Sequence, residues 1–291
     1  MKQILFIWGP FSLPAYGFFT GLAFVAIMHL SEERARGIGF PRFLTLDTLF
    51  VAAFGALLGA RVFHFAFSGE NLSSGAGGTA FLGTLAGAVP CAWLFLKLRK
   101  QSVPGVLDIC FLYLPLGQAI GRLGCWFYGC CHGRVCSPSF PMGVCFPRLV
   151  GWDNEALGSP AFLRHLNLGL INPDAAYSLP VYPTQLIAVC WVLLLFILLR
   201  IASTRRWAEI RPGMIVFLYC IGHGIGRGLE EFIRDHEVVF GLATKPQLAS
   251  VFMLLVGIGG VVWLIFRPGS HDHPVQRSTE KGGTRWTGFA G

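Results

Sequence analysis

The chain alternates between long apolar stretches and short polar segments that carry most of its charges. The apolar stretches run approximately over residues 11–30, 48–67, 78–96, 107–127, 182–199, 214–232 and 248–266. A helix needs about 20 residues to cross a hydrocarbon core of about 30 Å, and each stretch is close to that length. The pattern therefore predicts an all-α integral membrane protein with about seven transmembrane helices.

The composition supports a membrane environment. Charged residues make up 13% of the chain, whereas about 25% is usual for a soluble domain. The formal net charge of +8 is compatible with nucleic-acid binding, but Lys and Arg are scattered singly between the apolar stretches and form no basic face. We therefore expect a membrane protein with no nucleic-acid partner.

The distribution of basic residues predicts the orientation of the helices. The segments 31–47, 97–106, 200–213 and 267–291 together hold 14 Lys and Arg residues, whereas the segments on the opposite side hold six. Cytoplasmic loops carry the excess of Lys and Arg, so the first side is expected to be cytoplasmic. This places the N-terminus outside and the C-terminus in the cytoplasm.

One membrane domain is expected over residues 1–267, and two segments differ from the rest of the chain. Residues 128–181 are rich in Gly, Pro, Asn and Asp, contain Trp152, and are too long for a simple turn. We expect them to form an external cap between helices four and five. Residues 268–291 are polar and Gly-rich, and we expect a disordered cytoplasmic tail there.

Several glycine pairs have the four-residue spacing that lets membrane helices approach closely. These pairs are Gly17 with Gly21, Gly55 with Gly59, and Gly83 with Gly87. We expect all three pairs to pack helices together and to take no part in chemistry.

Three arginines, Arg61, Arg122 and Arg227, lie inside the apolar stretches. A charge there is costly unless it is paired or faces water, so it marks a candidate functional site. The three lie 13, 15 and 13 residues from the cytoplasmic ends of their stretches, a shared depth of roughly 20–22 Å. Such a cluster favours a phosphate-bearing lipid headgroup as ligand. Alternatively, each arginine snorkels to the headgroups or pairs with a local carboxylate, as Glu231 could do for Arg227.

The segment GRLGCWFYGCCHG, residues 121–133, resembles the signature of the prolipoprotein diacylglyceryl transferase family. Five further segments are similar to motifs of that family, in the same order: PAYGFFTG (14–21), GARVFH (59–64), GGTAFLGTLAG (77–87), YPTQL (182–186) and HGIGRGLEEFIRD (223–235). The resemblance extends from about residue 14 to residue 266, and the family shares the seven spans and the outside N-terminus. On these motifs the chain is identified as a divergent member.

The resemblance implies an enzyme that moves the diacylglyceryl group of phosphatidylglycerol onto the lipobox cysteine of a prolipoprotein, the first step of lipoprotein modification. The thiol becomes a thioether, and glycerol phosphate is released. A cationic pocket in the outer leaflet suits this reaction, because the phosphate is bound and leaves as an anion. The expected partners are phosphatidylglycerol, the signal-peptide segment of the prolipoprotein and the membrane, and no cofactor is expected.

The candidate catalytic residues follow from the matched positions and from one departure. Arg122 and Arg227 match the functional arginines of the family, and Glu231 matches the carboxylate that follows the second of them. The histidine of the third-helix motif is replaced by Leu82, so a candidate base is missing. His223, one helical turn before Arg227, is the candidate replacement, and a hydrogen-bonded structural histidine is the alternative. Further family positions are replaced by Cys125, Tyr128, Cys130, Tyr182 and Ala188.

The candidate substrate-binding residues are Arg61, Tyr16, Gln185 and Gly133. The last three match the first-span tyrosine, the fifth-span glutamine and the glycine that closes the family signature. Tyr16 and Gln185 are also expected at the depth of the arginines. Structural alternatives stay open for both, because Tyr16 suits an interfacial anchor and Gln185 a hydrogen bond between helices.

Five of the nine cysteines fall within 21 residues at the external end of the fourth span: Cys125, Cys130, Cys131, Cys136 and Cys145. The periplasm is oxidising, so we expect a disulfide between the Cys130–Cys131 pair and Cys136 or Cys145 that fastens the cap. A zinc site beside His132 is less favoured, because the spacing lacks CxxC pairs, and no metal site is expected. A redox-active pair at Cys130 and Cys131 is the remaining alternative.

Two other functions stay open at this stage. The external cysteines suggest a membrane thiol oxidoreductase, although no CxxC pair supports it. The loss of the family histidine at Leu82 suggests a non-catalytic lipid-binding or transport bundle. Release of glycerol phosphate from phosphatidylglycerol in the presence of a lipobox peptide separates the transferase from the bundle, and thiol exchange with an added dithiol or quinone tests the oxidoreductase.

Overall fold

The computed structural model describes residues 4–8, 11–68, 79–148, 159–205, 211–234, 244–267, 277–278 and 285–286. Within them lie eight helices: α1 (Ala15–Gly37), α2 (Leu44–Ser68), α3 (Thr79–Leu98), α4 (Val103–Tyr128), α5 (Pro160–Asn167), α6 (Thr184–Ala202), α7 (Met214–Glu231) and α8 (Lys245–Phe266). Seven of these helices coincide with the seven apolar stretches of the sequence, and α5 lies in the long connection. The prediction of an all-helical chain is confirmed.

Several of the described helices can cross a membrane. Five have the necessary length and apolar composition: α1, α2 over Leu44–Phe63, α4, α6, and α8 over Pro246–Phe266. The apolar part of α3, Gly83–Leu98, is shorter, and α7 carries Arg227, Glu230 and Glu231 near its end. The large apolar side chains on α2 are mostly exposed, for example Leu57 at 71%, as expected for a helix that faces lipid. The chain is a multi-pass membrane protein.

The first apolar stretch begins as a strand, which corrects the predicted start of the first span at residue 11. Residues Phe11–Pro14 form β2, which pairs antiparallel with β1 (Ile4–Trp8), and α1 begins at Ala15. Pro14 explains this boundary, because a proline restricts the residue before it to extended conformations and cannot continue an earlier helix. An apolar run by itself does not separate a short strand from the first turn of a helix.

The chain divides into two compact units, and the first contains the signature segment. It comprises Met1–Ala26, Leu114–Ala202 and Phe217–Gly259. In this unit, α7 packs on α6 and on α8 through glycines. A Cβ atom on Gly226 would collide with the Trp191 ring of α6, and a Cβ atom on Gly224 would lie 2.8 Å from the backbone oxygen of Ser250 on α8. The Trp191 Nε1 donates a hydrogen bond to the Gly222 backbone oxygen, 3.0 Å away.

The second unit comprises Ile27–Tyr113, Ser203–Val216 and Gly260–Gly291. The α2–α3 pair dominates it, and the glycines predicted to join helices lie at this contact. A Cβ atom on Gly55 would lie 2.6 Å from the Gly87 oxygen, and one on Gly83 would lie 2.5 Å from the Gly59 oxygen. The prediction for these two pairs is confirmed. It is wrong for Gly17 and Gly21, because no described atom lies within 4 Å of a Cβ built on either.

Two buried or half-buried carboxylates in the second unit cap helices. Glu32 accepts hydrogen bonds from the Phe43 N–H, at 2.7 Å, and the Thr45 hydroxyl, at 2.8 Å, beside the start of α2. Asp108 accepts from the Gly213 N–H, at 2.6 Å, and the Val216 N–H, at 3.0 Å, at the start of α7. Both satisfy N–H groups that have no partner inside their own helix.

The connection between α4 and α6 has its own small core, in which Phe146, Ala161 and Val181 are fully buried. Ser159 caps α5 by accepting from the Phe162 N–H, at 3.3 Å. His165 Nδ1 accepts from the Leu179 N–H, at 3.2 Å, while Trp152 lies outside the described residues. The described parts of this connection, residues 129–148 and 159–183, therefore pack around their own contacts, and the external position of the connection stays a prediction.

Little of the C-terminal tail is described. Two strands, β3 (Arg277–Ser278) and β4 (Arg285–Trp286), pair antiparallel over two residues each. The predicted disorder of residues 268–291 stays a prediction.

Candidate active site

A cluster of charged side chains surrounds Glu230 in the last turn of α7. Its carboxylate lies 3.5 Å from Arg122 Nη2, 3.4 Å from Arg227 Nη1 and 3.0 Å from Arg234 Nη1. Glu231, whose side chain is fully buried, lies 2.8 Å from Arg227 Nη1 and accepts a hydrogen bond from the Thr244 hydroxyl at 2.8 Å. Three guanidinium groups and two carboxylates thus share one region of the first unit.

The sequence of α7 explains how these groups meet. Arg227, Glu230 and Glu231 are spaced at i, i+3 and i+4, so they lie on one face of the helix. The helix ends at Glu231, and the next turn carries Arg234 back to the same face. Arg122 comes from α4, so the cluster joins two membrane helices. The side chains of Arg122 and Arg227 are 21% and 18% exposed, and that of Glu230 is 6% exposed.

The formal charges leave an excess of positive charge. Three arginines against two glutamates give a net charge of +1, and Arg122 and Arg227 keep the most exposure in the cluster. A buried excess charge needs an anionic partner. Guanidinium groups bind phosphate through paired N–H donors, so the arrangement is suited to an anion such as a phosphodiester.

His223 lies on α7, one turn before Arg227. Its ring stacks on that of Tyr219, with 5.3 Å between centroids, and the Tyr219 hydroxyl accepts a hydrogen bond from Gln118 Nε2 at 2.8 Å. His223 interacts electrostatically with Arg122, Arg227 and Glu230. The imidazole therefore borders the arginine cluster, and its role as a base stays a prediction.

The loop after α4 is held by the first turn of α6. The Thr184 hydroxyl donates to the Cys131 backbone oxygen and Gln185 Nε2 to the Cys130 backbone oxygen, each at 2.7 Å. Gln185 is fully buried, and its Oε1 has no hydrogen-bond partner among the described residues. These contacts favour the structural alternative for Gln185, in which it positions the loop.

Gly133 lies where this loop meets two other segments. Its N–H donates to the Tyr182 oxygen at 3.0 Å, and it forms a bridge with Arg234. A Cβ atom there would lie 2.6 Å from the Tyr182 Cβ and 2.7 Å from the Ile233 oxygen. Only glycine fits, and its place fixes the backbone that carries Arg234.

The remaining predicted substrate-binding residues differ in their positions. Tyr16 belongs to the first unit, is half-exposed, and has its ring 6.3 Å from that of Tyr128. It interacts electrostatically with Cys125 of α4 and with Cys130 and Cys131, which follow that helix. Arg61 is an exposed residue of α2 in the second unit. The side chain of Leu82, at the position of the family histidine, lies outside the described part.

Three cysteine sulfurs converge beside the arginines. The Sγ atoms of Cys125, Cys130 and Cys131 all lie within 4.8 Å of one another. Hydrogen bonds from the Cys125 and Cys130 thiols to the Cys131 sulfur, together with the Arg234 guanidinium, lower the pKa of Cys131 below its ordinary value. Hydrogen bonding to Cys125 and Cys131 raises the pKa of Cys130.

The four cysteines predicted to form a bridge are free thiols in this structure, as are the other five. Cys130 and Cys131 lie beside Cys125, whereas Cys136 is buried and interacts with Cys145. Burial and the neighbouring Cys145 raise the pKa of Cys136. The proposed pairing of Cys130 or Cys131 with Cys136 or Cys145 stays a prediction.

Comparison with known proteins shows which family the chain belongs to. A family model described as prolipoprotein diacylglyceryl transferase matches residues 3–263. The chain belongs to this family. Phosphatidylglycerol--prolipoprotein diacylglyceryl transferases are similar along nearly their whole lengths. That of Ralstonia pickettii is 30% identical over 284 residues, which cover 91% of this chain and 93% of the relative.

Two further transferases of the same name are similar to this chain to nearly the same degree. That of Paraburkholderia phytofirmans is 31% identical over 288 residues, covering 91% of this chain and 93% of its own. That of Citrobacter koseri is 30% identical over 288 residues, covering 93% and 95%. The resemblance inferred from the six sequence motifs is confirmed, and the comparisons do not favour the oxidoreductase or the non-catalytic bundle.

Sequence reasoning about this family member missed two of the five charged residues. Glu230 and Arg234 lie inside the motif HGIGRGLEEFIRD, and their spacing from Arg227, at i+3 and i+7, is a visible helical pattern. That spacing could have found both. The approach of Cys125 to Cys130 and Cys131 has no such signal, because it depends on how the chain reverses after α4.

Proposed function

We propose that this chain transfers the diacylglyceryl group of phosphatidylglycerol to the lipobox cysteine of a prolipoprotein. The chain belongs to a family of transferases, and its relatives carry the names of these two substrates. The observation that carries the proposal is the cluster of Arg122, Arg227 and Arg234 around Glu230, with its formal net charge of +1. A phosphodiester in a phospholipid headgroup carries the single negative charge that balances it.

The reaction breaks one bond and forms another. The lipobox sulfur attacks the glyceryl carbon next to the phosphate, so a C–S bond forms while the C–O bond to the phosphodiester breaks. The electron pair of that C–O bond leaves with glycerol phosphate, and the thiol proton passes to a base. Arg122 and Arg227 stabilise the negative charge that accumulates on the leaving oxygen.

His223 is our candidate for the base. Its ring borders the two arginines, and the stack on Tyr219 fixes its plane. A base must lie within hydrogen-bond reach of the proton that it removes, either directly or through one water. In this role His223 replaces the histidine that the family carries at the position of Leu82.

The other candidates contribute to substrate binding. Tyr16 is half-exposed at the edge of the same unit and is suited to the lipid headgroup. Gly133 and Gln185 act mainly by holding the backbone of the signature loop. Arg61 is proposed as a headgroup ligand because its distance from the cytoplasmic end of its apolar stretch matches that of Arg122 and Arg227.

The orientation follows the distribution of basic residues. We propose seven transmembrane helices, a periplasmic N-terminus, a cytoplasmic C-terminus, and an external cap formed by residues 128–181. The protein would then lie in the bacterial inner membrane, with the arginine cluster in the outer part of the bilayer. Lipobox cysteines of exported prolipoproteins reach that side.

Complementation of a transferase-depleted bacterium tests the function in the cell. The unmodified chain is expected to restore growth and lipoprotein modification. Arg122→Ala and Arg227→Ala are expected to fail, because loss of one charge-stabilising donor costs about 100-fold in rate. Arg42→Ala is the matched control, since Arg42 is exposed and contacts the Phe43 ring outside the cluster. Growth restored by both cluster variants, at equal protein levels, would reject the arginine mechanism.

A further inference from the structure

Cys125 near the end of α4 and Cys130 in the following loop lie close to a third cysteine, Cys131. Their Sγ atoms and that of Cys131 lie within 4.8 Å of one another, without any disulfide. Sulfurs that share one zinc ion, each at about 2.3 Å, lie about 3.8–4.0 Å apart. Shifts of less than about 1 Å in side-chain position would therefore give the spacing of a three-sulfur metal site.

The backbone holds the three cysteines in this arrangement. Gly129 follows the end of α4 with a positive φ of 80°, and its N–H and that of Cys130 bond back to the Cys125 oxygen, at 2.9 and 3.2 Å. This is the usual reversal at a helix C-terminus. It returns the next residues over the last turn of α4, where Cys125 lies.

A second, independent feature fixes the loop. Cys131 has a positive φ of 58°, a conformation that residues with a Cβ atom rarely adopt. The hydrogen bonds from Thr184 and Gln185 to the two loop carbonyls hold this conformation. Strained backbone that its surroundings maintain is typical of functional sites. The loop is therefore built to present two adjacent thiols toward a third.

Charge decides which class of ion fits. Three thiolates and one divalent cation carry a net charge of −1, whereas three thiolates and one monovalent cation carry −2. Arg234 and Arg122 both interact electrostatically with the Cys131 sulfur. A divalent ion therefore leaves less uncompensated charge than a monovalent ion in this mostly buried site.

We propose that Cys125, Cys130 and Cys131 form a binding site for one thiophilic divalent metal ion such as Zn²⁺. Thiolate sulfur selects ions of this class, and three protein ligands leave a fourth position for water or another small ligand. Cys130 and Cys131 are partly exposed, which provides a path for the ion. The site lies beside the arginine cluster but uses none of its atoms as ligands.

Metal binding to the purified, reduced full-length chain in detergent tests the proposal. After dialysis against Zn²⁺, metal analysis is expected to find one tightly bound ion per chain. Cd²⁺ in place of Zn²⁺ is expected to add the absorption of cadmium–thiolate bonds. Cys125→Ser, Cys130→Ser and Cys131→Ser are each expected to weaken binding at least about tenfold. Cys190→Ser, an exposed cysteine of α6, is the matched control and is expected to bind as before.

A labelling experiment on the unmodified chain tests the metal site without any substitution. Bound Zn²⁺ is expected to protect Cys125, Cys130 and Cys131 from alkylation, as mapped by peptide mass spectrometry, while Cys145 and Cys190 stay reactive. Unchanged alkylation of the three residues in the presence of Zn²⁺, or equal Zn²⁺ binding by all four serine variants, would overturn the proposal. Neither readout depends on transferase activity.

Discussion

At the scale of single residues, Glu230 holds the charged cluster together. It contacts three arginines at 3.0–3.5 Å, and without it these guanidinium groups would repel one another in a largely buried site. Glu231 is different, because it pairs with Arg227 and is fixed by Thr244. The two adjacent carboxylates therefore have separate roles, one in assembling the cluster and one in orienting Arg227.

Replacement of Glu230 tests this role. Glu230→Ala is expected to lower the free energy of unfolding by about 3–5 kcal/mol, because it leaves buried charges without their partner. Glu230→Gln keeps the shape but loses the charge, and we expect an intermediate loss in thermal unfolding. Glu33→Gln is the control, since Glu33 forms an exposed pair with His29 worth at most about 1 kcal/mol. Equal melting temperatures for Glu230→Ala and Glu33→Gln would contradict the assignment.

The role of His223 can also be tested by replacing a single residue. His223→Gln is expected to reduce kcat by about 100-fold if the ring is the base, with little change in KM for phosphatidylglycerol. The acidic limb of the pH–rate profile is expected to disappear in this variant. His29→Gln, at an exposed position in α1, is expected to leave both unchanged. A variant that melts earlier but keeps the pH profile of the unmodified chain would identify a purely structural histidine.

At the scale of helices, close packing of α7 determines where Arg227 lies. Gly226 and Gly228 flank this arginine, yet their surroundings differ. A Cβ atom at Gly226 would overlap the Trp191 ring, whereas one at Gly228 would lie 3.6 Å from the Ser250 Cβ, an ordinary contact. The α6–α7 contact is thus much less tolerant of an added methyl group than the Gly228 position.

These two glycines give a matched pair of variants. Gly226→Ala is expected to push α7 away from α6 and to reduce transferase activity about tenfold or more, since a displacement of about 1 Å is enough to disturb catalysis. Gly228→Ala is expected to keep near-normal activity. The measurement is the initial rate of lipid transfer at equal amounts of folded protein. Equal rates in the two variants would show that this packing does not position the site.

The sequence predicts the helices more completely than it predicts the candidate active site. Seven helices follow from apolar length, and Arg122, Arg227 and Glu231 follow from local motifs, because each signal is contained in a short segment. The early strand at Phe11–Pro14 was missed, since a segment of four residues at the edge of an apolar stretch fits either structure. The convergence of the cysteines could not be predicted from spacing, because it depends on two positive φ angles, at Gly129 and Cys131, and on hydrogen bonds from α6.

At the scale of the whole molecule, the chain matches the transferase family along nearly its whole length and is expected to differ from it in some site residues. The matched family region covers residues 3–263, and the arginine cluster lies in the first of the two compact units. The resemblance of residues 121–133 to the family signature implies that Cys125 and Cys130 stand at positions where the family carries polar residues. The phosphate-binding arrangement and the transfer reaction are thereby expected to persist, while the groups that move protons differ from those of the family.

The product of the reaction tests the central claim most directly. Purified protein is incubated with vesicles of phosphatidylglycerol and a lipobox peptide, and the peptide mass and the released glycerol phosphate are measured together. We expect the peptide cysteine to gain one diacylglyceryl group for each glycerol phosphate released, and we expect neither product with Arg122→Ala or Arg227→Ala. An unmodified peptide in the presence of a folded, lipid-binding protein would contradict the account.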